Sequence, residues 1–416
     1  MISQSSFKQV PKTGVIYVMS KAQKHGFYYG NNAWANLGQG APETGEIENS
    51  PKRLTEFVLD NALAEYSPIA GDKALREAVA NLYNHRYRRD HASKYSHENV
   101  AISSGGRAAL CRIAATLSNI NLGHFLPDYT AYEELLDVFN GFVPIPISHA
   151  SASGFKPNID AMKKAMINMG LGAMLLSNPS NPSGQVIAGQ SLKRLVNSYQ
   201  AVGCSMIFDE FYSHYLYRGK QTSVSAARFV ENVDKDSVLI VDGLTKNWRY
   251  PGLRIAWTLG PKNIIESIAS AGSFLDGGAA HAIQKAIMPL LAPKHAAFEA
   301  KSIQKVFIKK RDYMVNRLRQ LGFLLPAGAP EGGFYCFPCL KNLPQPLQNG
   351  IAFFNTLLER KVICVPGIFF DVNPGHRRNK THARLENYVR FSFGPPMDEI
   401  ALGLERIESL IQDYKT

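Results

Sequence analysis

Short apolar runs alternate with longer amphipathic stretches between about residues 70 and 275. The runs end in polar or glycine-rich turns, whereas the stretches between them place apolar residues at helical spacing. This alternation is typical of βαβ units and predicts a parallel sheet with helices packed on it. The sequence therefore predicts an α/β fold with a mostly parallel central sheet in a large domain.

The pattern changes in the last part of the chain. A helical pattern at about 296–321 is followed by the strand-like GGFYCFPCL, a helix near 347–360, two further apolar runs and a closing helix. This order predicts a smaller α+β domain. The first fifty residues contain no complete fold. We therefore expect an N-terminal segment (1–50) that packs with the small domain, a large domain (51–290) and a C-terminal small domain (291–416).

Composition limits the possible partners of the chain. Its 416 residues carry 46 Lys and Arg against 34 Asp and Glu, and the scattered excess favours small anionic ligands over nucleic acid. No apolar run approaches the ~20 residues that a membrane span requires, and the polar start shows no secretory signal. Only Cys336 and Cys339 lie close together, which is weak evidence for zinc. We expect buried thiols, no metal and a cytoplasmic location.

The predicted strands end in four chemically distinct segments, SSGGRAAL, SNPSNPSG, DEFY and DGLTK. Ligands of open parallel sheets bind at the carboxyl ends of the strands, so we expect these segments to face one site. Gly105 and Gly106 precede a helical stretch, whose first N–H groups could hold a phosphate. Arg254 offers the paired donors that phosphate favours, although a surface ion pair would also explain it.

Four further side chains in these segments indicate an aromatic ligand with a carbonyl group. Asp209 follows a buried strand and needs a partner such as a protonated pyridine nitrogen, unless it caps a helix. Tyr212, one helical turn later, could place its hydroxyl near the same ligand. Asn181 belongs to one of two Asn-Pro steps, which hold the loop extended and present its amide. Lys246 alone would be an ordinary surface lysine. Partly desolvated beside a phosphate site, it would have a lowered pKa and form a Schiff base.

In this order, the segments resemble the class I/II aminotransferases, pyridoxal 5'-phosphate (PLP) enzymes of fold type I, the aspartate aminotransferase fold. The resemblance covers nearly the whole chain and rests on AEYSPIAGDKALREAVA, SSGGRAAL, LPDYTAY, SNPSNPSG, IFDEFY, DGLTKNWRYPGLR and YVRFSFG. It implies a PLP-dependent aminotransferase that moves an amino group between an L-amino acid and a 2-oxo acid by a ping-pong mechanism. It also implies a homodimer with the active site at the subunit interface.

The resemblance implies a cofactor site residue by residue. Lys246 would hold PLP as an internal aldimine and shuttle a proton once substrate displaces it, and Asp209 would pair with the pyridinium nitrogen. Tyr212 and Asn181 would bind the ring oxygen. The other implied cofactor contacts are Tyr129 stacked on the ring, Gly105, Gly106 and Arg107 in the glycine loop, Thr245, Arg254 as counter-charge of the phosphate, and Tyr66 reaching the phosphate of the neighbouring subunit.

The resemblance also implies that Arg390 binds the substrate α-carboxylate, together with Asn181 and the backbone of Gly38. The alternation in YVRFSFG supports this role independently. Val389 and Phe391 share one face of the predicted strand, so Arg390 lies on the other face among apolar neighbours. A structural ion pair would also explain the arginine.

Three positions depart from the family pattern. Gly243 stands where the family usually has a serine that touches the phosphate, Gly106 replaces a polar residue of the glycine loop, and Ala256 replaces a common glycine. We expect the phosphate contacts to be redistributed, with the side chain of Arg107 compensating at the glycine loop.

The sequence leaves other interpretations open. A carbon–sulfur β-lyase, or an amino-acid oxidase or hydroxylase of the same fold, would share the lysine, aspartate and arginine. A PLP-binding transcription regulator would carry an additional DNA-binding domain, and the first fifty residues show no helix-turn-helix pattern. The aromatic residues of the stretch 27–34, which often forms the lid of the pocket in the family, lean toward an aromatic or apolar substrate. Packing against the core would also explain them.

Overall fold

The computed structural model describes residues 10–379 and 384–415. Its strands are β1 (Ala35–Asn36), β2 (Val100–Ser103), β3 (Ile120–Leu126), β4 (Phe142–Ser148), β5 (Leu171–Ser177), β6 (Ser205–Asp209), β7 (Val238–Gly243), β8 (Ala256–Leu259), β9 (Tyr335–Cys336), β10 (Val362–Ile363), β11 (Val365–Pro366) and β12 (Val389–Ser392). Its α-helices are α1 (Gly14–Lys24), α2 (Asn61–Ala64), α3 (Lys73–Tyr87), α4 (Gly106–Thr116), α5 (Tyr132–Val138), α6 (Ile159–Asn168), α7 (Gly189–Val202), α8 (Leu244–Asn247), α9 (Lys262–Leu275), α10 (His281–Ala286), α11 (Pro293–Gln320), α12 (Gly350–Glu359) and α13 (Met397–Asp413). None of the helices in these two ranges is long and apolar enough to cross a lipid bilayer.

A seven-stranded sheet forms the centre of the large domain, in the order β2-β8-β7-β6-β5-β3-β4. Neighbouring strands are parallel except at β8, which runs antiparallel to β2 and β7. The predicted mostly parallel sheet is therefore confirmed. Side chains alternate between its two faces. In β6, Ile207 packs into one hydrophobic cluster, and Met206 and Phe208 pack into the other.

A smaller antiparallel sheet lies in the C-terminal part of the chain, in the order β11-β12-β9. Helix α12 packs on β10 and β11, and α13 packs on α11. Strand β1 pairs in parallel with β10, so this part of the N-terminal segment joins the C-terminal strands. The domain boundaries after residues 50 and 290 stay predictions.

The segment GGFYCFPCL departs in part from the predicted strand. Only Tyr335–Cys336 forms a regular strand, and Pro338, which lacks an N–H donor, follows two residues later. Cys336 and Cys339 are free and buried, as we expect of structural thiols.

A buried ionic cluster joins the N-terminal segment, the turn after α8 and helix α11. Arg249 Nε donates to Glu299 Oε1 at 2.8 Å, and Arg53 approaches the same oxygen at 3.2 Å. Arg249 also donates to the carbonyl groups of Glu43 and Gly45 at 3.0 and 2.6 Å. Removing one partner of a buried ion pair costs about 3–5 kcal/mol. The cluster therefore fixes the segment that follows residue 41 against the turn that follows α8.

Candidate active site

A cavity of about 370 Å³ lies at the carboxyl ends of β5, β6 and β7. The first residues of α4, strand β12 and residues 39–41 of the N-terminal segment complete its wall. The predicted site residues that line it are Gly106, Arg107, Tyr129, Asn181, Asp209, Tyr212, Thr245, Lys246, Arg254 and Arg390. Segments that are far apart in the sequence thus meet at one edge of the sheet, as the sequence analysis expected.

Three predicted residues do not line this cavity. The carbonyl oxygen of Gly38 accepts from Arg390 Nη2 at 2.7 Å, directly behind the wall. Gly105 packs against the guanidinium of Arg254, where a side chain would collide, and its φ of +90° favours glycine. Tyr66 is 95% exposed on the surface of the single chain.

Asp209 is the last residue of β6 and is only 6% exposed. Its Oδ2 accepts from Tyr132 Oη at 2.7 Å, and its Oδ1 accepts a long 3.4 Å contact from the N–H of Phe211. Burial raises the pKa of Asp209 to about 6. The following residues form a turn and not a helix, so the helix-cap interpretation is wrong and Tyr212 lies in that turn. A buried carboxylate with so few donors favours a cationic partner.

Lys246 lies in the short helix α8, directly after strand β7. Its Nζ donates to the carbonyl oxygen of Gly40, so the surface-lysine interpretation is wrong. Burial lowers the pKa of Lys246 to about 7, and the cations Arg390 and Arg107 lower it further. At neutral pH a large fraction of this amine is therefore unprotonated, which is the form that attacks a carbonyl group.

Arg390 lies in β12 and is 1% exposed. Its Nη1 donates to Asn181 Oδ1 at 3.0 Å, and its guanidinium carbon lies 4.2 Å from the ring centroid of Tyr335. In the part of the chain that the structure describes, no carboxylate pairs with Arg390, and its Nε has no hydrogen-bond partner. The ion-pair interpretation is not supported there. A buried guanidinium without an acidic partner favours an anionic ligand.

Arg107 and Arg254 place two further guanidinium groups on the cavity wall. Arg107 Nη2 donates to Tyr129 Oη at 3.1 Å, and Arg254 Nη1 donates to the carbonyl of Pro251 at 2.9 Å. Across residues 10–379 and 384–415, neither forms an ion pair with a carboxylate. Among the residues that the structure describes, Asp209 is the only acidic one in the cavity wall. This excess of positive charge favours bound molecules that together carry several negative charges.

Sequence reasoning missed three residues of the site. Tyr132 donates to Asp209, Tyr335 contacts both Tyr212 and Arg390, and Gly40 accepts from Lys246. Tyr132 stands in the quoted motif LPDYTAY, where its position three residues after Tyr129 was a usable signal. Tyr335 and Gly40 come from other segments of the chain, and only the folded structure brings them to the cavity.

The aromatic residues of the stretch 27–34 do not line this cavity. Phe27, Tyr29 and Trp34 line a separate cavity of about 700 Å³, which shares Gln39 and Ala41 with the first one. Phe27 and Trp34 are buried and stack edge to face. The expectation of an aromatic or apolar substrate therefore has no support from these residues in the single chain.

Packing explains two of the departures from the family pattern. A Cβ at Gly243 would lie 2.5 Å from the carbonyl oxygen of Ile255 and 3.0 Å from the methyl group of Ala256. A Cβ at Gly106 would lie 2.5 Å from the ring of Phe211. The backbone of Ile255 and Ala256 thus occupies most of the space that a side chain at Gly243 would need, and the ring of Phe211 occupies that space at Gly106. The two glycines supply no hydroxyl, while Thr245, Arg107 and Arg254 line the same cavity.

Known proteins resemble this chain over almost its whole length. The profile of the family "Aminotransferase class I and II" matches residues 32–407. The aspartate aminotransferase of Sulfurisphaera tokodaii is 25% identical, over 92% of this chain and 90% of that protein. The aromatic-amino-acid aminotransferase 2 of Thermococcus litoralis is 23% identical, over 91% of this chain and 92% of that protein. The solved aspartate aminotransferase from Thermus thermophilus with maleate is 22% identical and shares the fold with a TM-score of 0.77, over 97% of this chain and 100% of that chain.

The chain has the architecture of a fold type I enzyme. It combines a large, mostly parallel sheet with a smaller α+β domain and a cationic cavity at the strand ends. The family match over most of the chain then identifies it: the chain belongs to the class I and II aminotransferases. It is a PLP-dependent transaminase, which moves an amino group between an amino acid and a 2-oxo acid. The named relatives do not favour the lyase or oxidase alternative.

We predict that Gly243→Ser destabilises the protein by about 1–3 kcal/mol, because the added side chain has no space beside β8. Combining it with Ala256→Gly removes the methyl group at 3.0 Å but leaves the closer backbone atoms of Ile255 and Ala256, so it should recover only a small part of the loss. Denaturant unfolding of both single variants and the double variant measures the coupling. Strictly additive losses would show that the two positions do not share this space.

We also predict that Asp209→Asn stabilises the ligand-free protein at neutral pH. The pKa of Asp209 is higher in the folded protein than in the unfolded chain. The free energy of unfolding therefore falls as the pH rises through about 4 to 6, and this cost is complete above pH 6. The amide avoids it, which should add roughly 1–3 kcal/mol at pH 8 and about half as much at pH 5. Thermal unfolding of ligand-free protein at both values measures the difference, with Asp160→Asn in an exposed ion pair as control. A variant that is less stable than the wild type at pH 8 would contradict the assignment.

Proposed function

We propose that PLP is bound in the cavity between Asp209, Lys246 and Arg254. The residues present fit each part of this cofactor. Asp209 is the buried acid that a protonated ring nitrogen requires, and Lys246 is an amine with a pKa of about 7 that can attach to an aldehyde. The N-terminus of α4, with Gly106 and the nearby Arg254, offers N–H donors to a phosphate. The pairing of one low-pKa lysine with one buried carboxylate is the observation that carries the proposal.

The hydrogen bonds around Asn181 and Tyr212 suit the oxygen on the cofactor ring. Asn181 uses its Oδ1 to accept from Arg390, which leaves its amide N–H groups as donors. Burial holds the pKa of Tyr212 well above its usual value, so its hydroxyl remains a donor. Tyr129, which lines the same cavity, is proposed to stack on the ring.

We propose that Arg390 binds the α-carboxylate of the amino acid and so orients its Cα toward Lys246. The guanidinium is already held by Asn181 and by the carbonyl of Gly38, and no acid of the described residues competes for it. A preorganised, desolvated donor of this kind fixes the substrate at little cost in reorganisation. When bound, PLP supplies an electron sink that stabilises negative charge at Cα.

Lys246 then acts as the general base and acid. With a pKa near 7 it can take the proton from Cα and return it to a neighbouring carbon. The wall around it is closed by Phe211, Tyr212 and Tyr335, which limit the access of water. Both substrates would bind to Arg390 through their α-carboxylates, so one product leaves before the second substrate binds. This order gives the ping-pong mechanism that the sequence analysis expects.

We further propose that two copies of the chain form a homodimer in which Tyr66 reaches the phosphate site of the partner. The segment from residue 57 to 66 exposes Phe57, Val58, Leu59 and Tyr66. Exposed apolar side chains in one segment are typical of a protein interface. A two-fold dimer would place the same segment of each chain against the other.

Mixing two inactive variants tests this dimer. Lys246→Ala and Tyr66→Ala should each lower the activity, because each removes one part of every site. Subunit exchange should restore activity, since one site of a mixed dimer combines an intact Lys246 with an intact Tyr66 from the partner. Sedimentation measures the oligomeric state in parallel. A monomer, or an exchanged mixture no more active than the two variants separately, would contradict the proposal.

A half-reaction tests the transaminase mechanism itself. Purified protein with PLP is mixed with single amino acids in the absence of any 2-oxo acid, and its visible spectrum is recorded. We expect substrates to convert the lysine-bound absorption to that of pyridoxamine phosphate, with one 2-oxo acid formed per site. Lys246→Ala should lack the lysine-bound absorption and form pyridoxamine phosphate roughly a hundred- to ten-thousand-fold more slowly, whereas Lys309→Ala, in an exposed ion pair, should do neither.

The same experiment separates the rival reactions. A β-lyase or an oxidase would turn over repeatedly without a 2-oxo acid acceptor, releasing ammonia. Continuous product formation without an acceptor would therefore contradict transamination. The panel of amino acids also identifies the substrate class, which the residues of the cavity wall leave open.

A further inference from the structure

Tyr335 is a buried side chain of the cavity to which the proposed mechanism assigns no role beyond closing the cavity wall. It lies in β9, is 1% exposed and lines the cavity. Its hydroxyl lies 2.8 Å from the hydroxyl of Tyr212, and its ring centroid lies 4.2 Å from the guanidinium carbon of Arg390. One residue thus contacts both the side chain proposed for the cofactor oxygen and the side chain proposed for the substrate carboxylate.

The register of the small sheet explains the contact with Arg390. Tyr335 of β9 is paired directly with Ser392 of β12 in an antiparallel ladder. Arg390 lies two residues before Ser392 and therefore on the same face, in the diagonal position where long side chains reach a cross-strand aromatic ring. The sheet itself consequently sets this contact, and no loop movement is needed to form it.

The ring of Tyr335 packs against the flat face of the Arg390 guanidinium group. A guanidinium over an aromatic ring is attracted to the negative face of the ring, and more strongly where water is excluded. Arg390 also donates to Asn181 and Gly38 from its two terminal nitrogens. Hydrogen bonds at the end of the group and a ring at its face together fix the plane of the guanidinium, which sets where a bound carboxylate lies.

The hydroxyl of Tyr335 determines which way the proton of Tyr212 can lie. A hydroxyl group has one proton to donate, and only one of the two tyrosines can donate across the 2.8 Å contact. Tyr212 can donate to a ligand in the cavity only when Tyr335 donates to Tyr212. Such a chain also makes Tyr212 a stronger donor, because each hydrogen bond polarises the next. The backbone of Gly40 approaches the same hydroxyl so closely that a side chain there would collide with it. This contact limits the movement of Tyr335 in addition to its contacts with Tyr212 and Arg390.

We propose that Tyr335 is a positioning residue that orients Arg390 through its ring and the proton of Tyr212 through its hydroxyl, so that one side chain couples the substrate and cofactor halves of the site. This inference rests on the proposed function. The charged and titratable groups that line the cavity with the tyrosine pair are Arg107, Tyr129, Asp209, Lys246, Arg254 and Arg390.

Two substitutions separate the two contacts. Tyr335→Phe keeps the ring beneath Arg390 and removes the hydroxyl, whereas Tyr335→Leu removes both. Tyr217→Phe is the matched control, because Tyr217 is also buried and loses a hydrogen bond to the carbonyl of Gly333 outside the cavity. Each variant is studied as purified protein with PLP bound.

The first readout is the pH midpoint of the visible absorption of the lysine-bound cofactor. A weaker donor at Tyr212 stabilises an anionic ring oxygen less, so the protonated form persists to higher pH. We expect both Tyr335 variants to raise the midpoint by roughly half a unit to one unit. The second readout is the binding of a 2-methyl amino acid, which lacks the proton on Cα and therefore cannot be transaminated. Tyr335→Leu should weaken this binding about 3- to 30-fold, and Tyr335→Phe should leave it nearly unchanged.

The possible outcomes are distinct. A midpoint that does not move in Tyr335→Phe would overturn the role of the hydroxyl, and this variant keeps the protein closest to its native packing. Equal binding in Tyr335→Phe and Tyr335→Leu would overturn the role of the ring. Equal shifts in Tyr217→Phe would show a general packing effect and overturn both roles. A wild-type protein that shows no lysine-bound absorption with PLP would overturn the proposed function itself, and the inference with it.

Discussion

The electrostatics of the site depend on the burial of the Asp209 carboxyl group at the end of strand β6. Asp209 has one tyrosine hydroxyl and one long backbone contact as partners, and burial raises its pKa to about 6. Lys246 shares the cavity with three arginines, and burial lowers its pKa to about 7. Holding these groups in place costs stability in the ligand-free protein. A ligand with a cationic ring nitrogen and anionic groups offsets that cost, so cofactor binding and the order of the site depend on the same electrostatic balance.

Much of this site could be predicted because its chemistry follows the strands. Asn181, Asp209 and Lys246 each come shortly after an apolar run, and parallel strands bring their carboxyl ends to one edge of the sheet. The antiparallel course of β8 was not predicted, but it leaves the position of Lys246 unchanged. Arg390 could be assigned to the other face of its strand by alternation alone, and the structure places it in the cavity wall.

The remaining features depend on contacts between distant segments, which no local pattern encodes. Tyr335 reaches Arg390 through the register of β9 with β12, and Gly40 reaches Lys246 from the N-terminal segment. Gly243 looked like the loss of a phosphate contact, whereas the structure shows that the backbone of Ile255 and Ala256 occupies the space that a side chain there would need. The aromatic residues before residue 35 suggested a lid, yet they stack on one another beside a second cavity. In each case the residue could be read from the sequence, but the neighbour that it contacts is determined by the packing of distant segments.

Reductive trapping tests the central claim, that Lys246 is the residue that carries the cofactor, most directly. The protein is incubated with PLP and reduced with borohydride, which makes the bond between a lysine and the cofactor permanent, and the digested peptides are analysed by mass spectrometry. The account predicts one modified peptide, containing Lys246, because burial keeps the pKa of this amine at about 7. Modification spread over surface lysines, with Lys246 unmodified, would contradict it.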